Sequence, residues 1–210
     1  MHAKVLPKGS AKLLARLERT RSPELTGWTL AGGTGLALAL GHRISEDFDF
    51  FRPDRPDLQL LRTVLADAGE FEIIQEMEHT LSVIMNGVKM SFFHVADPFL
   101  FPTQPYRFFQ VADPRDIALM KLVAVSGRGS RKDFVDLFCI LRGSPPLAEY
   151  FDLLPQKYGK GRANAYHILK SLVYFEDAEQ EPLPRMLVPF NWKECKAFFI
   201  RTAHAIILSP

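Results

Sequence analysis

The chain has 210 residues, 47% of them hydrophobic, and a formal net charge of +2 at pH 7. This length supports one good core or two small lobes, and so small a charge gives no argument for nucleic acid binding. The N-terminal sequence MHAKVLPKGS lacks the apolar run of a signal peptide, and no run of about 18 apolar residues indicates a membrane span. We therefore expect a cytoplasmic protein without membrane contact.

Elements of the first half alternate between helix and strand. Apolar periodicity predicts helices over 10–21, with Ser10 as N-cap, over 34–40, and over 57–68, with Asp57 as N-cap. Strand patterns occupy the ranges 28–31, 47–51, 71–77, 81–85, 88–95 and 108–111. A Pro-rich connector is predicted between the last two of these strands. Asn86-Gly87 predicts a tight hairpin between two of these strands.

The second half is predicted to be helical. Asp113-Pro114 is a favourable helix start, because proline fits the first turn. Helical patterns cover the ranges 114–125, 130–142, 146–157, 162–176 and 191–207, and residues 177–190 are predicted to form a loop. The organisation is therefore an α/β lobe over 1–112 and a helical lobe over 113–210, which we expect to form one compact unit.

Composition also describes the core and the charge pattern. The 17 Phe predict an aromatic-rich core, and we expect Cys139 and Cys195 to be reduced core thiols because they form no metal-binding motif. Residues 45–80 contain ten acidic and three basic side chains, whereas residues 121–170 contain nine basic and four acidic ones. The first stretch favours cations and the second anions, although solvated helix faces give the same counts.

Two glycines mark the end of the first predicted strand. Gly32 and Gly33 precede a small, apolar helix, so backbone N–H groups there can approach a phosphate, with a favourable helix dipole. Thr34 adds a hydroxyl donor. A Rossmann fingerprint needs a third glycine where Leu38 stands, and a P-loop needs a Gly-Lys-Ser/Thr sequence that is missing. A plain strand-to-helix turn remains the structural alternative.

The strand predicted over 47–51 alternates acid and phenylalanine. Side chains two apart share a face of a strand, so Asp47 and Asp49 stand side by side while Phe48 and Phe50 face the core. Adjacent carboxylates repel each other unless a cation lies between them. Mg²⁺ commonly takes one or two carboxylates together with substrate phosphates, so this pair is a candidate metal site; an exposed strand face with unrelated acids is the alternative.

The glycine turn, twelve residues and then Asp-Phe-Asp-Phe resemble the nucleotidyltransferase pattern. More narrowly, AGGTGLALALGHRISEDFDFF, NGVKMSFFH, DPRDIALMKLVAVSGRGSRKDFVDL and AYHILKSLVYFEDAEQEP resemble segments of the AbiEii/AbiGii toxin-type nucleotidyltransferases. The resemblance implies an α/β (α+β) fold, with a small mixed sheet flanked by helices and a helical C-terminal lobe closing over the nucleotide. It also implies Mg²⁺-dependent transfer of a nucleoside monophosphate from a nucleoside triphosphate to an RNA, tRNA or protein acceptor, with a cognate antitoxin as partner.

Within this resemblance, the phosphate-holding turn is matched by Gly32, Gly33 and Thr34, and the metal-binding acids by Asp47 and Asp49. Ser45 matches the serine that precedes these acids and is expected to contact phosphate. Arg43 is a plausible phosphate partner through its fork of donors; a surface arginine capping the preceding helix is the alternative.

The helical half supplies further candidates through the same resemblance. Lys121 matches the family's helix lysine, aimed at the triphosphate, and lies on an apolar helix where it must snorkel or find an anion. Lys132 and Asp133 match the family's Lys-Asp element, and Asp136 shares the helix face of Asp133. Either acid could reach the metal or act as base, with helix capping and local salt bridges as the alternative.

One departure from the pattern concerns the third carboxylate of many nucleotidyltransferases. The corresponding strand position holds Ser91, and serine is a poor base at neutral pH. Asp133 or Asp136 then fills the role, or the proton is left to water. Otherwise the chain is a catalytically inactive module that binds nucleotide or a partner, or a pure interaction protein. The sequence specifies neither the preferred nucleotide nor the acceptor.

Overall fold

A computed structural model describes residues 1–143 and 145–206 of the chain. The chain divides into two compact units, Met1–Asp113 and Pro114–Pro210. The first unit is α/β and the second is helical, and the fold class expected from the sequence, with its small mixed sheet and helical C-terminal part, is confirmed. No helix of the described part of the chain combines the length and the hydropathy that crossing a bilayer requires.

The first unit is built on a mixed sheet, which has seven strands within the described residues. In chain order its elements are α1 (Lys8–Thr20), β1 (Thr29–Ala31), α2 (Gly32–Leu40), β2 (Phe48–Arg52), α3 (Leu58–Ala68), β3 (Phe71–Met77), β4 (Thr80–Met85), β5 (Val88–His94), β6 (Gln104–Tyr106) and β7 (Phe109–Val111). The strand order is β3-β4-β5-β2-β1-β7-β6. The pairs β1–β7 and β2–β5 are parallel and the other neighbours are antiparallel.

The centre of this sheet is aromatic, as the Phe content predicts. The ring centroids of Phe50 and Phe92 on neighbouring strands lie 5.2 Å apart, and Trp28 meets Phe92 edge to face at 5.1 Å. Phe48 and Phe109 complete the group, and all five side chains are almost fully buried. Large rings of this kind bury much apolar area and prefer such offset and edge-to-face arrangements. The packed centre therefore holds β1, β2 and β5 in a defined register.

Local signals in the first unit are mostly confirmed. The Asp57 side chain caps α3 by accepting a hydrogen bond from the Leu60 amide at 2.9 Å. Asn86 and Gly87 both have positive φ angles, as a two-residue hairpin of the type predicted requires. Ser10 as N-cap is wrong: α1 begins two residues earlier, after Pro7, and the buried Ser10 hydroxyl donates instead to the Glu46 carbonyl.

The second unit consists of helices packed around a second aromatic group. Its elements are α4 (Pro114–Gly127), α5 (Arg131–Leu141), α6 (Leu147–Tyr158), α7 (Ala165–Ser171), α8 (Glu176–Gln180) and α9 (Trp192–His204). Phe134 lies at the centre and contacts Phe175, Trp192 and Phe199 with centroid distances of 5.1 to 6.1 Å. Within the described residues neither Cys139 nor Cys195 forms a disulfide. Cys195 is buried in the core as predicted, and burial raises its pKa, whereas Cys139 is only half-buried.

Two boundaries in this unit differ from the sequence prediction. The single helix expected over 162–176 is shorter, because the Asn164 side chain accepts from the His167 amide and starts α7 at Ala165. The loop expected over 177–190 begins with the end of α8. The last residue of the helix predicted over 191–207 lies outside the described residues.

Candidate functional site

The predicted phosphate turn lies directly at the start of α2. Ala31 ends β1 and is the N-cap of α2, but it offers no side-chain hydrogen bond to the first amides of the helix. Gly32 has a φ of +60°, a conformation that L side chains rarely adopt. Helix N-terminal amides without a capping side chain suit an anion, because the N–H groups and the helix dipole point the same way.

Asp49 lies against this turn. The β1–β2 register pairs Ala31 with Asp49, so the aspartate stands beside the residue that follows Ala31. A Cβ placed on Gly32 would lie only 2.7 Å from Asp49 Oδ2. Position 32 therefore has no room for a side chain, and the carboxylate stays close to the helix start.

The second glycine faces the other two predicted phosphate residues. A Cβ on Gly33 would overlap Arg43 Nη2 and lie 3.3 Å from Ser45 Oγ. Arg43 is only 5% exposed, so the alternative of a surface arginine is wrong, and its Nη1 donates to the Ile44 carbonyl at 3.1 Å. Arg43 and Ser45 thus lie at the glycine turn; their contact with phosphate stays a prediction.

Thr34 connects α2 to the segment that precedes the acids. Its buried hydroxyl contacts the Asp47 carbonyl oxygen and lies 2.8 Å from Ser45 Oγ. A hydroxyl has one proton to donate, and a carbonyl oxygen can only accept. The Thr34 hydroxyl therefore donates to the Asp47 carbonyl and accepts a hydrogen bond from the Ser45 hydroxyl. Thr34 therefore positions the approach to β2, and its predicted phosphate contact stays a prediction.

The two acids follow the predicted alternation. Asp47 is exposed immediately before β2 and Asp49 is half-buried within it, whereas Phe48 and Phe50 are buried. The carboxylates thus lie on the sheet face opposite the aromatic core. Their oxygens are the ligand type that Mg²⁺ prefers, and Mg²⁺ needs few protein carboxylates when phosphates supply further oxygens. Across residues 1–143 and 145–206 no group of three or more His, Cys, Asp or Glu could hold a metal. Metal binding by Asp47 and Asp49 stays a prediction.

Ser91 occupies the third position of the same row. The β2–β5 register pairs Asp49 with Ser91, and the β4–β5 register pairs Ser91 with Ser82. Paired residues share a face of the sheet. Both serines are almost fully buried, and Ser82 Oγ donates to Ser91 Oγ at 3.0 Å. A pair of hydroxyls therefore stands where the pattern has a third carboxylate. Ser82 was missed, although the predicted two-residue turn at Asn86-Gly87 already places it opposite Ser91.

The candidates of the second unit form a buried charge cluster. Lys121 Nζ lies 2.6 Å from Asp133 Oδ1 and 2.8 Å from Asp136 Oδ2, and the Arg128 guanidinium and the Ser130 hydroxyl donate to Asp133. Lys121 lies on the apolar helix α4 and was expected to need an anion, and the two carboxylates of α5 meet this need. This geometry does not test the predicted contact of Lys121 with triphosphate or the predicted catalytic role of Asp133.

The cluster shifts the ionisation of its members. Burial alone would lower the pKa of Lys121, but the charges of Asp136 and Asp133 outweigh it and raise that pKa above 10.5. Burial would raise the pKa of Asp133, but the hydrogen bond from Arg128 and the charge of Lys121 lower it from 3.8 to about 2. A carboxylate with a lowered pKa is a weak base near neutral pH.

Two further basic residues, Arg131 and Lys132, lie at the start of α5. Lys132 is exposed on the first turn of the helix. Arg131 donates to the carbonyl oxygens of Ala178 and Glu179 and lies over the Trp192 ring at 5.0 Å. Arg131 therefore links α5 to α8 and α9. Nucleotide binding by Lys132, which its match to the family's Lys-Asp element implies, stays a prediction.

One buried ion pair was missed by sequence reasoning. Lys157 Nζ on α6 lies 2.9 Å from Asp116 Oδ1 on α4, and both side chains are almost fully buried. The signal was the apolar stripe of α6, because Leu147, Tyr150 and Leu154 define a face that returns at Lys157. A charged residue on a buried stripe requires a partner of opposite charge.

Replacing Gly32 with alanine is expected to weaken both the fold and the turn. The positive φ costs a non-glycine residue about 1–2 kcal/mol, and the added Cβ displaces the Asp49 carboxylate. Urea unfolding should show this loss of stability. Gly9→Ala is the matched control, since a Cβ there meets nothing within 4 Å; equal stability of the two variants would contradict the strained turn.

The profile of the nucleotidyl transferase AbiEii toxin family of Type IV toxin–antitoxin systems matches residues 12–92 and 87–205. An uncharacterized protein of Aquifex aeolicus is 37% identical over 177 residues, which cover 82% of this chain and 84% of that protein.

Solved structures agree at the level of the fold. The Helicobacter pylori protein JHP933 is similar with a TM-score of 0.54 and 16% identity, covering 93% of this chain and 89% of its own. The nucleotidyltransferase toxin MenT4 of Mycobacterium tuberculosis is similar with a TM-score of 0.52 and 13% identity, covering 95% and 87%. The profile match spans nearly the whole chain and confirms the family resemblance expected from the sequence. The chain therefore belongs to the nucleotidyl transferase AbiEii toxin family.

Proposed function

We propose that the chain transfers a nucleoside monophosphate from a nucleoside triphosphate to a hydroxyl group of an RNA, tRNA or protein acceptor, with Mg²⁺ as cofactor. The observation that carries the proposal is the packing of Asp49 against the start of α2 at Gly32, where the N-cap residue Ala31 has no side-chain acceptor. Helix-start amides that can bind an anion and a carboxylate that can bind a cation therefore lie side by side, which suits a triphosphate that carries a metal ion.

The chain's own residues bind and orient the triphosphate in this proposal. Amides of Gly32 and Gly33 bind phosphate oxygens, Arg43 and Ser45 add donors beside Gly33, and Asp47 and Asp49 would hold the metal. When bound, Mg²⁺ supplies charge neutralisation for the phosphates. Positioning and electrostatic stabilisation account for most of the catalysis of phosphoryl-type transfers.

In the chemical step, the acceptor oxygen forms a bond to the α-phosphorus while the bond to pyrophosphate breaks. The acceptor hydroxyl loses its proton, and pyrophosphate leaves with the electron pair of the broken bond. Neither Ser91 nor the strongly acidic Asp133 is a good base near neutral pH. We propose that this proton passes to water, one of the routes that the sequence left open.

A partner is also proposed. The family is that of toxins from Type IV toxin–antitoxin systems, and MenT4 is itself a nucleotidyltransferase toxin. We propose that the chain is the toxin of such a pair and that a cognate antitoxin limits its activity. The assignment predicts that the chain inhibits growth when it is expressed alone and that co-expression with a cognate antitoxin relieves this inhibition.

A second candidate function is a module that binds nucleotide without transferring it. The buried hydroxyl pair Ser82–Ser91, in place of a third carboxylate, favours this alternative. Its signature is a protein that binds triphosphate but never releases pyrophosphate. Incubation with labelled triphosphate and total cellular RNA or protein separates the two functions, because only transfer leaves label on the acceptor.

The proposed nucleotide site should produce a Mg²⁺-dependent rise in melting temperature with the preferred triphosphate. Ligand at about 100 times its dissociation constant stabilises by roughly 2.7 kcal/mol, which for a chain of this size is a rise of about 5–10 °C. The measurement compares all four triphosphates with and without Mg²⁺. An unchanged melting temperature with every triphosphate would remove the support for both nucleotide functions.

A further inference from the structure

Two histidines form a cross-strand pair in the first unit, away from the acids Asp47 and Asp49 in sequence. His94 ends β5, and the register Thr80↔Phe93 places His79, just before β4, directly opposite it. The His94 amide donates to the His79 carbonyl at 2.9 Å, which continues the ladder by one pair. The two side chains are therefore neighbours held by backbone pairing.

The ring nitrogens of the pair face each other. His94 Nδ1 and His79 Nδ1 lie 3.4 Å apart, and the ring centroids are 5.0 Å apart. His94 Nε2 lies 3.0 Å from the Pro53 carbonyl oxygen, which can only accept. Neutral His94 therefore carries its proton on Nε2 and directs the lone pair of Nδ1 at His79.

The tautomer of His79 decides how the two Nδ1 atoms interact. Its Nε2 lies 4.0 Å from Glu78 Oε1, beyond hydrogen-bond distance, and that oxygen also contacts Arg55. With its proton on Nε2, His79 opposes an unprotonated Nδ1 to that of His94, an arrangement that repels unless a cation lies between them. The alternative is a hydrogen bond from His79 to His94, and 3.4 Å is longer than the usual 2.7–3.2 Å for such a donor.

The separation fits tetrahedral metal coordination. Two imidazole nitrogens, each about 2.0–2.1 Å from a tetrahedral Zn²⁺, lie about 3.3–3.4 Å apart, and the Nδ1 atoms are 3.4 Å apart. A metal-bound histidine usually donates its other ring N–H to a carbonyl or carboxylate, as His94 does to Pro53. We propose that His79 and His94 bind a divalent transition-metal ion of the Zn²⁺ type, with water completing the coordination.

The site has a specific chemistry and place. Imidazole selects Zn²⁺, Cu²⁺ and Ni²⁺ over Mg²⁺, so it differs in ligand type from the carboxylates of the proposed nucleotide site. His79 is 49% exposed, which leaves room for the bound waters. The metal would join the β3–β4 turn to the end of β5, and Pro53 links it to the chain after β2. The inference is independent of the proposed function.

The test uses the full chain, purified with an affinity tag that contains no histidine. Calorimetric titration with ZnCl₂ in excess Mg²⁺ measures the affinity, and the electron paramagnetic resonance of bound Cu²⁺ reports nitrogen ligands. We expect binding with two nitrogens, and a loss of affinity of about tenfold or more in His79→Gln and in His94→Gln.

The control variants separate this site from other metal contacts. His204→Gln removes an exposed histidine of α9 and should bind Zn²⁺ as the unaltered chain does. Asp47→Asn/Asp49→Asn should also retain Zn²⁺ binding. Melting temperatures in EDTA check the fold of each variant, and having two independent histidine variants keeps the test informative if one is unstable. Absence of Zn²⁺ binding, or unchanged affinity in both histidine variants, would overturn the inference.

Discussion

Replacing both Asp47 and Asp49 with asparagine is expected to reduce nucleotidyl transfer by about 100-fold or more. Asp49 lies against the start of α2, and Asp47 is exposed beside it just before β2. Asparagine keeps the shape of each side chain but removes the charge that holds a cation near the triphosphate. The measurement is label transfer from triphosphate to the acceptor, together with the Mg²⁺-dependent rise in melting temperature.

The metal-free protein provides a second readout for the same change. Two neighbouring carboxylates repel each other without a cation, so the double variant should be as stable as the unaltered chain, or slightly more stable, in EDTA. Loss of activity with retained stability then identifies a functional role rather than a folding defect. The matched control is Glu46→Gln, which neutralises the exposed acid next to Asp47. Full transfer activity in the double variant would refute the assigned acids.

Replacing Asp133 with alanine is expected to destabilise the second unit by about 3–5 kcal/mol, the usual cost of breaking a buried ion pair. Asp133 is completely buried and accepts from Lys121, Arg128 and Ser130. Its removal leaves Lys121 buried with Asp136 as the remaining carboxylate of the cluster. Urea unfolding followed by circular dichroism measures the change in the free energy of unfolding.

The pH dependence of stability gives the same cluster a signature. The pKa of Asp133 is lowered from 3.8 to about 2 in the folded chain, so its stabilisation is complete above about pH 4 and disappears as the pH falls toward 2. The pKa of Lys121 is raised above 10.5, so its contribution is complete below that pH and is lost as the pH rises through the folded value. The unaltered chain should lose stability at both extremes, and Asp133→Ala should lack most of the acid part.

Asp152→Ala is the control for the stability measurement. Asp152 is an exposed acid on α6, and exposed substitutions usually change stability by less than about 0.5 kcal/mol. If Asp133→Ala cost no more than this control, the cluster would not stabilise the unit. If only transfer activity fell, Asp133 would instead have the direct catalytic part that the family resemblance implies.

Local sequence patterns determined much of the fold. Alternation in Asp-Phe-Asp-Phe indicated which side of β2 meets the core, Asn86-Gly87 marked the hairpin, and Asp113-Pro114 marked the start of α4. These patterns act within a few residues through side-chain direction, turn chemistry and backbone restriction. A single sequence is therefore enough to recognise them. The strand β6 was missed because Gln104-Pro105-Tyr106 belongs to the predicted Pro-rich connector, and proline is disfavoured within strands.

The candidate site was also only partly predictable from the sequence. The sequence by itself determined the glycine turn, the two acids and, through their spacing, the family. Only the tertiary structure decided that Asp49 lies against Gly32, that Arg43 is buried beside Gly33, and that Lys121 pairs with Asp133 and Asp136. Strand register and helix packing bring these groups together, and both depend on long-range burial of apolar side chains. A lone lysine on an apolar helix indicates that an anion is nearby, but only the tertiary structure shows which residues provide it.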